Sequence, residues 1–225
     1  MHPATEPVFD IVIAPAALSL RKRVMDVVVA SCGLILLAPI ALIVMASIWI
    51  VEGRPTFFRQ QRPGLQGKAF TIIKFRTMRL PRRDGLGDSD ASRLTPLGVW
   101  LRRKSLDELP TLVNVLRGDM SLVGPRPLLT EYLPRYSTQQ LRRHSVRPGL
   151  TGLAQISGRN QVDWERRFRL DVWYVDHWRF LLDLKILWRT IAVVLRQEGI
   201  SESGQATMTP FSGRRQVDSD PLVDK

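Results

Sequence analysis

The longest departure from mixed hydrophobic and polar patterning runs from Val27 to Val51, 25 consecutive residues without a charge. As a helix this run reaches roughly 37 Å, enough for a bilayer's hydrocarbon core of about 30 Å. Pro39 lies at its middle, where a missing N–H and a ring clash kink or break a helix. Basic residues flank both sides, Arg21, Lys22 and Arg23 before it and Arg54, Arg59, Arg62 and Lys68 after it, so the positive-inside rule selects no orientation. A re-entrant helix-break-helix over residues 20–53, broken at Pro39 and entering and leaving by one leaflet, satisfies both features. A straight span would put one basic flank outside. No small-residue cleavage site closes the run, which argues against a signal peptide.

Past this segment the period changes. Thr56–Arg59 and Ala69–Arg76 read as two strands around Pro63-Gly64-Leu65-Gln66-Gly67, a β-hairpin that places Lys74 and Arg76 together on one face, aimed at an anion or at solvent. Leu80–Ser92 has no apolar period and reads as a loop able to cover a site. Leu97, Trp100 and Leu101 follow helical spacing. Ser105-Leu106-Asp107-Glu108 has the form of a capping box opening a helix through Leu109, Leu112, Val113 and Leu116. Trp164, Phe168, Val172 and Val175, and then Phe180–Leu195, have the spacing of amphipathic helices suited to a membrane interface or to a core. The fold class expected is α+β, mostly helical. Its parts are an N-terminal extension (1–19), the membrane hairpin (20–53), a cytoplasmic catalytic domain (54–211) in which Gly204–Phe211 folds back near the site, and a flexible tail (212–225).

Composition narrows the chemistry. The 225 residues carry 33 Lys and Arg against 21 Asp and Glu, a net charge of +12, which favours an anionic partner: nucleic acid, lipid headgroups or a phosphorylated substrate. One cysteine, Cys32, excludes an intrachain disulfide. In so basic a chain the adjacent carboxylates Asp107 and Glu108 are candidates for a nucleophile or a divalent-metal site, because surrounding cations hold them ionised and also neutralise phosphate oxygens. First-turn acidic residues also cap helices for structural reasons alone, and the two roles are compatible. Pro125-Arg126-Pro127 restricts the backbone around one guanidinium, which can be pre-aimed at phosphate with little ordering entropy.

Several ordered blocks resemble the bacterial sugar transferases. They are Lys22-Arg23 with Asp26, Gln61-Arg62-Pro63-Gly64, Lys74-Phe75-Arg76-Thr77-Met78, Leu106-Asp107-Glu108-Leu109, Gly118-Asp119-Met120-Ser121 and Val123-Gly124-Pro125-Arg126-Pro127-Leu128, followed by Arg147-Pro148-Gly149, Gly158-Arg159-Asn160 and Asp171-Val172-Trp173-Tyr174. The likeness covers roughly residues 20–211, with nothing resembling a further domain ahead of it, and is to the minimal monotopic polyprenyl-phosphate phosphoglycosyl transferases. One departure is Ala38-Pro39, where that branch often has Ser-Pro.

The resemblance implies a phosphoglycosyl transferase that moves a phospho-sugar from a UDP-sugar to polyprenyl (undecaprenyl) phosphate, releasing UMP through a covalent aspartyl phosphosugar on Asp107. It implies Mg2+ held by Asp107 and Glu108, and phosphate binding by Lys74, Arg102 and Arg126, with Arg62, Arg147 and Arg159 as further candidates. The partners implied are an N-acetylated UDP-sugar, polyprenyl phosphate and membrane lipid, with no nucleic acid. The location implied is the cytoplasmic face of a bacterial inner membrane. Oligomeric state is left open, a homodimer included. Two readings compete: a scaffold without chemistry, and a membrane-tethered nucleic-acid binder using Arg142, Arg143, Arg147, Arg159, Arg166 and Arg167 as a phosphate-tracking surface.

Overall fold

A computed structural model of the chain describes residues 11–81, 89–158, 162–196 and 210–213. A short helix, α1 (Pro15–Leu18), leads into α2 (Leu20–Glu52), one helix of 33 residues. The break expected at Pro39 does not interrupt it. Proline removes one backbone hydrogen bond there. Packing compensates: Lys22, Asp26, Ala30, Leu34, Val44 and Ile48, four positions apart except across the Pro39 turn, seat the helix on the rest of the chain on both sides of the proline. The opposite side exposes Val28, Ile35, Leu36, Ile43 and Ile50. Among the described residues α2 is the one helix long and apolar enough to cross a membrane.

The hairpin forms as the alternation predicts, β1 (Phe57–Pro63) antiparallel to β2 (Ala69–Phe75), with Phe57 opposite Phe75 and Pro63 opposite Ala69. The free edge of β2 is covered by side chains. Buried Asn114 accepts from the Ile73 N–H at 3.1 Å and donates to the Thr71 carbonyl at 2.8 Å, while the Thr111 hydroxyl donates to the Ile73 carbonyl at 2.8 Å. Lys74 and Arg76 do not act together as expected. Arg76 turns back to the C-terminus of α2, donating to the carbonyls of Glu52 (2.7 Å) and Gly53 (2.9 Å), groups that a helix end leaves unpaired.

Of the expected loop, residues 82–88 lie outside the described set. Beyond them come α3 (Asp90–Arg93) and α4 (Pro96–Arg103), the latter capped by the Thr95 hydroxyl on the Gly98 N–H at 2.9 Å. Asp107 and Glu108 do not open a long helix. They sit in a 3-10 turn, Leu106–Glu108, and α5 (Thr111–Arg117) starts after Pro110. Ser105 lies at φ 55°, in the left-handed region, and its side chain makes no capping bond. Helical spacing through Leu109 and Leu112 thus spans two elements, because a proline N-cap separates them.

The remaining elements are β3 (Ser121–Val123), α6 (Thr138–Leu141), β4 (Gly149–Thr151), α7 (Leu153–Ile156), α8 (Trp164–Asp176) and α9 (Phe180–Arg196). β3 and β4 pair in parallel, Ser121 opposite Gly149. The main core joins Ala30, Ile72, Val115, Val123, Tyr174 and Ile186. A second cluster sets Val44 and Ile48 of α2 against Phe75 and Leu101, and a third is aromatic, with Tyr132, Tyr136, Phe168 and Phe211.

Residues 11–19 belong to the body rather than to a loose extension, with Ala14 and Ala16 buried and the Ala14 N–H on the Ser145 carbonyl at 2.9 Å. Phe211 returns to the body, its carbonyl accepting from Arg135 at 2.7 Å; residues 204–209, the rest of the expected fold-back, lie outside the described set. The amphipathic spacing of α8 proves to be core packing, with Phe168, Val172 and Val175 buried. α9 buries only Asp183 and Ile186 and exposes Leu181, Leu184, Trp188, Ile191 and Leu195 at a helical period.

Candidate active site

Three arms converge on the Leu106–Glu108 turn. β2 delivers Lys74, α4 delivers Arg102, and the segment after β3 delivers Arg126. Lys74 Nζ donates to Glu108 Oε1 at 2.5 Å and Arg126 Nη2 to the same oxygen at 2.7 Å. Arg102 Nε donates to the Thr77 hydroxyl at 3.0 Å, and its charge acts on Asp107. Asp107 is only 9% exposed, yet its carboxylate accepts no hydrogen bond from any described residue.

The two carboxylates are therefore unlike. Burial disfavours charge on Asp107 and the neighbouring Glu108 anion repels it, so its pKa is raised above 3.8 although Lys74, Arg102 and Arg126 partly offset this. Burial also disfavours charge on Glu108, but the two cations bonded to it outweigh that and hold it far below the ordinary range. Glu108 stays an anion and holds Lys74 and Arg126 through one oxygen. Asp107 keeps its lone pairs available. Environments that push two adjacent carboxylates apart assign them different roles.

The Arg126 arm is held by more than its prolines. The Pro125 carbonyl accepts from Gly149 N–H at 2.9 Å, and Gly124 N–H donates to Thr151 at 2.9 Å. A side chain on Gly124 would put its Cβ 2.5 Å from the Arg147 carbonyl, so only glycine allows this approach. The Arg126 carbonyl accepts from Arg143 at 2.7 Å, and Arg143 is itself pinned to Asp171 at 2.8 and 3.1 Å. Behind the loop, His144 donates from Nδ1 to the Gly64 carbonyl at 3.1 Å, and burial beside Arg143 lowers its pKa to about 3, so it stays neutral.

Burial and the nearby Arg126 charge lower both Arg62 and Arg167 to about 10. Like charges gathered in a poorly solvated cleft are relieved by an anionic ligand.

Of the expected phosphate binders, Lys74, Arg102 and Arg126 thus surround the acidic pair, while Arg62 donates to Gln60 at 2.6 Å and meets the charge of Arg126. Arg147 does not join them. It donates to the carbonyls of Gly118 (3.0 Å) and Ala17 (2.7 Å), closing the end of α5, where Gly118 adopts φ 87°. Arg159 lies outside the described residues. Residue patterns did not single out Arg143 or Asp171 as supports of Arg126; the signal available was a charge at a core-facing position, for Asp171 on α8 one residue before buried Val172. Of the arginines named for the alternative nucleic-acid surface, Arg166 is exposed. Arg143, Arg147 and Arg167 turn inward, and Arg142 pairs with Asp176.

No cluster of three or more His, Cys, Asp or Glu side chains able to hold a metal occurs among the described residues. Mg2+ commonly takes only one or two carboxylates and fills its shell with phosphate oxygens and water, and Asp107, without a donor among the described residues, beside Glu108 fits that donor set.

Residues 17–197 match the family model for bacterial sugar transferase. The chain is 52% identical over 200 residues to the uncharacterized sugar transferase EpsL of Bacillus subtilis, spanning 88% of this chain and 98% of that protein. It is 44% identical to the UDP-glucose:undecaprenyl-phosphate glucose-1-phosphate transferase of Caulobacter vibrioides, across 80% of this chain and 71% of that one. With the undecaprenyl-phosphate galactose phosphotransferase of Salmonella typhimurium it shares 39% identity, across 79% of this chain but 41% of the longer relative.

Proposed function

The chain belongs to the bacterial sugar transferase family, and from that premise we propose that it transfers a sugar phosphate from a UDP-sugar to polyprenyl phosphate through Asp107. The observation that carries this reading is the division of labour at the acidic pair: Glu108 Oε1 shared by Lys74 and Arg126, Asp107 buried, raised in pKa and without a donor among the described residues. An Asp107 oxygen attacks the β-phosphorus, the bond from that phosphorus to the oxygen bridging the two phosphates breaks, and UMP leaves. A phosphate oxygen of the lipid then attacks the same phosphorus and the bond to Asp107 breaks, giving polyprenyl-diphospho-sugar and the free carboxylate.

Arg126, Lys74, Arg102 and Arg62 neutralise the phosphoryl oxygens during both displacements, where positioning and charge dominate catalysis. Mg2+, held by Asp107 and Glu108 together with substrate phosphates, would supply further neutralisation of the diphosphate. Relatives named for glucose and galactose compete with the N-acetylated donor that the minimal branch suggests, so the sugar is decided by assay.

The lipid acceptor calls for a membrane seat. The exposed apolar sides of α2 and α9 would form it, with the body on the cytoplasmic face. Support for a one-leaflet seat is that both ends of α2 bond to the same body, Lys22 to Asp183 at 2.7 Å and Glu52 to Arg76 and Thr95. Cysteines placed near positions 11 and 60 should label from the same side; labelling from opposite sides would refute the seat.

Detergent-solubilised protein with Mg2+, polyprenyl phosphate and a panel of UDP-hexoses and UDP-N-acetylhexosamines should release UMP and form a lipid diphosphosugar. Asp107→Asn should lose both by on the order of a thousandfold or more while remaining folded. Release of UDP instead, or an active Asp107→Asn, would sink the proposal.

A further inference from the structure

The base of α2 reaches into the site by a route that membrane anchoring does not need. Lys22 and Asp26, one helical turn apart, are 4% and 2% exposed, whereas their neighbours Val24, Val27 and Val28 face outward. Asp26 accepts from the Leu122 N–H at 2.9 Å. Lys22 donates to the Val123 carbonyl at 2.9 Å and to Asp183 at 2.7 Å. Tyr174 bridges the same groups, its hydroxyl within 3.2 Å of the Val123 carbonyl and 2.7 Å of Asp183. These side chains therefore grip the backbone of β3 on both sides of one peptide unit. Arg126 follows three residues after Val123, with Gly124 and Pro125 both bonded to β4, so little slack separates the grip from the guanidinium.

A buried ion pair of this kind is weak evidence for stability, since apolar replacements of similar volume are often neutral or better. What it does supply is register. We infer that Lys22 and Asp26 are positioning residues for catalysis: through the Leu122 N–H and the Val123 carbonyl they fix β3, and thereby the place of Arg126 against Glu108 and the substrate phosphate. α2 is then part of the catalytic scaffold as well as an anchor. The inference rests on the proposed transfer reaction for its kinetic consequence and on hydrogen bonding alone for its structural one.

The test compares acceptor geometry with charge. Asp26→Ala removes the acceptor, and Asp26→Asn keeps an oxygen able to receive the Leu122 N–H. In full-length protein, Asp26→Ala should lower the single-turnover rate of UMP release roughly tenfold to a hundredfold, with a smaller change in KM for the UDP-sugar, because sub-ångström misplacement acts mainly on the transition state. Asp26→Asn should recover most of that loss.

Lys22→Met alone leaves Asp183 without its cation. The double variant Lys22→Met/Asp183→Asn restores charge balance without restoring the bond to Val123, so thermal stability should return while the rate stays low. Amide hydrogen exchange over residues 121–126 should be faster in Asp26→Ala and in the double variant. Rate recovering together with stability in the double variant, an unimpaired Asp26→Ala, or Asn no better than Ala would overturn the inference. If Asp26→Ala does not fold, the double variant decides. If the unaltered protein releases no UMP from any donor, the reaction falls separately, and amide exchange still decides whether the grip exists.

Discussion

Two clusters in this chain each pair a lysine with a carboxylate, one buried and one half-buried, and they differ in what is left over. At the base of α2, Asp183 accepts from Lys22 at 2.7 Å, Tyr174 at 2.7 Å and Trp178 at 2.9 Å, so the anion is fully engaged. At the Leu106–Glu108 turn, one oxygen of Glu108 accepts from both Lys74 and Arg126, but a second carboxylate, Asp107, stands beside it with no donor among the described residues. Charge density alone does not mark a reactive site in this molecule. A satisfied anion organises its neighbours, and an unsatisfied one adjacent to it is available for bond formation.

The largest blow to this comparison is Glu108→Gln, which leaves Lys74 and Arg126 without their anion. UMP release should fall by roughly a hundredfold or more. The same variant sharpens the electrostatics. Asp107 must be ionised to attack, and its pKa is raised by burial and by Glu108, so activity of the unaltered protein should decline as pH falls through a midpoint above 3.8. Removing the Glu108 charge should move the midpoint of the residual activity to lower pH. An acid limb that stays in place would mean that the two carboxylates are not coupled.

Next in size is Asp183→Asn at the closed cluster. Removing one partner of a buried pair strands the other, and the loss should appear as stability, about 3 kcal/mol in denaturant titration. The acid limb of activity should not move, because Asp183 is not among the charges that shift Asp107. A shifted limb with unchanged stability would reverse the roles assigned to the two clusters. The smallest effect belongs to Arg142→Ala, which breaks a surface pair with Asp176. Exposed pairs contribute about 0–1 kcal/mol, so melting temperature and UMP release should both stay near those of the unaltered protein.

The comparison also explains what was legible in the residues. Asp107, Glu108, Lys74 and Arg126 were readable because their blocks are local, and the hairpin was readable because period-two alternation reflects a strand half covered by core. The capping box was not. Ser105 has the right type at the right spacing, but Pro110 and the left-handed Ser105 backbone start α5 later. Arg147 failed for a different reason: a basic residue among prolines and glycines serves an unpaired helix carbonyl as readily as a phosphate, and only its donors' directions tell the two apart.

By itself the sequence determined the apolar α2 segment, the hairpin, α4, the spacing of α8 and α9, and the identity of the acidic pair with its main cations, all of which depend on residues near one another along the chain. The tertiary structure alone decided that α2 continues through Pro39, that Arg76 serves the end of that helix while Lys74 serves Glu108, that Arg143 and Asp171 support Arg126, and that donors among the described residues reach Glu108 and not Asp107. Those outcomes depend on which donors reach which acceptors across long chain separations, as in Lys22 with Val123. Local periodicity carries no record of such pairings, because burial and hydrogen-bond competition are settled only when distant segments pack together.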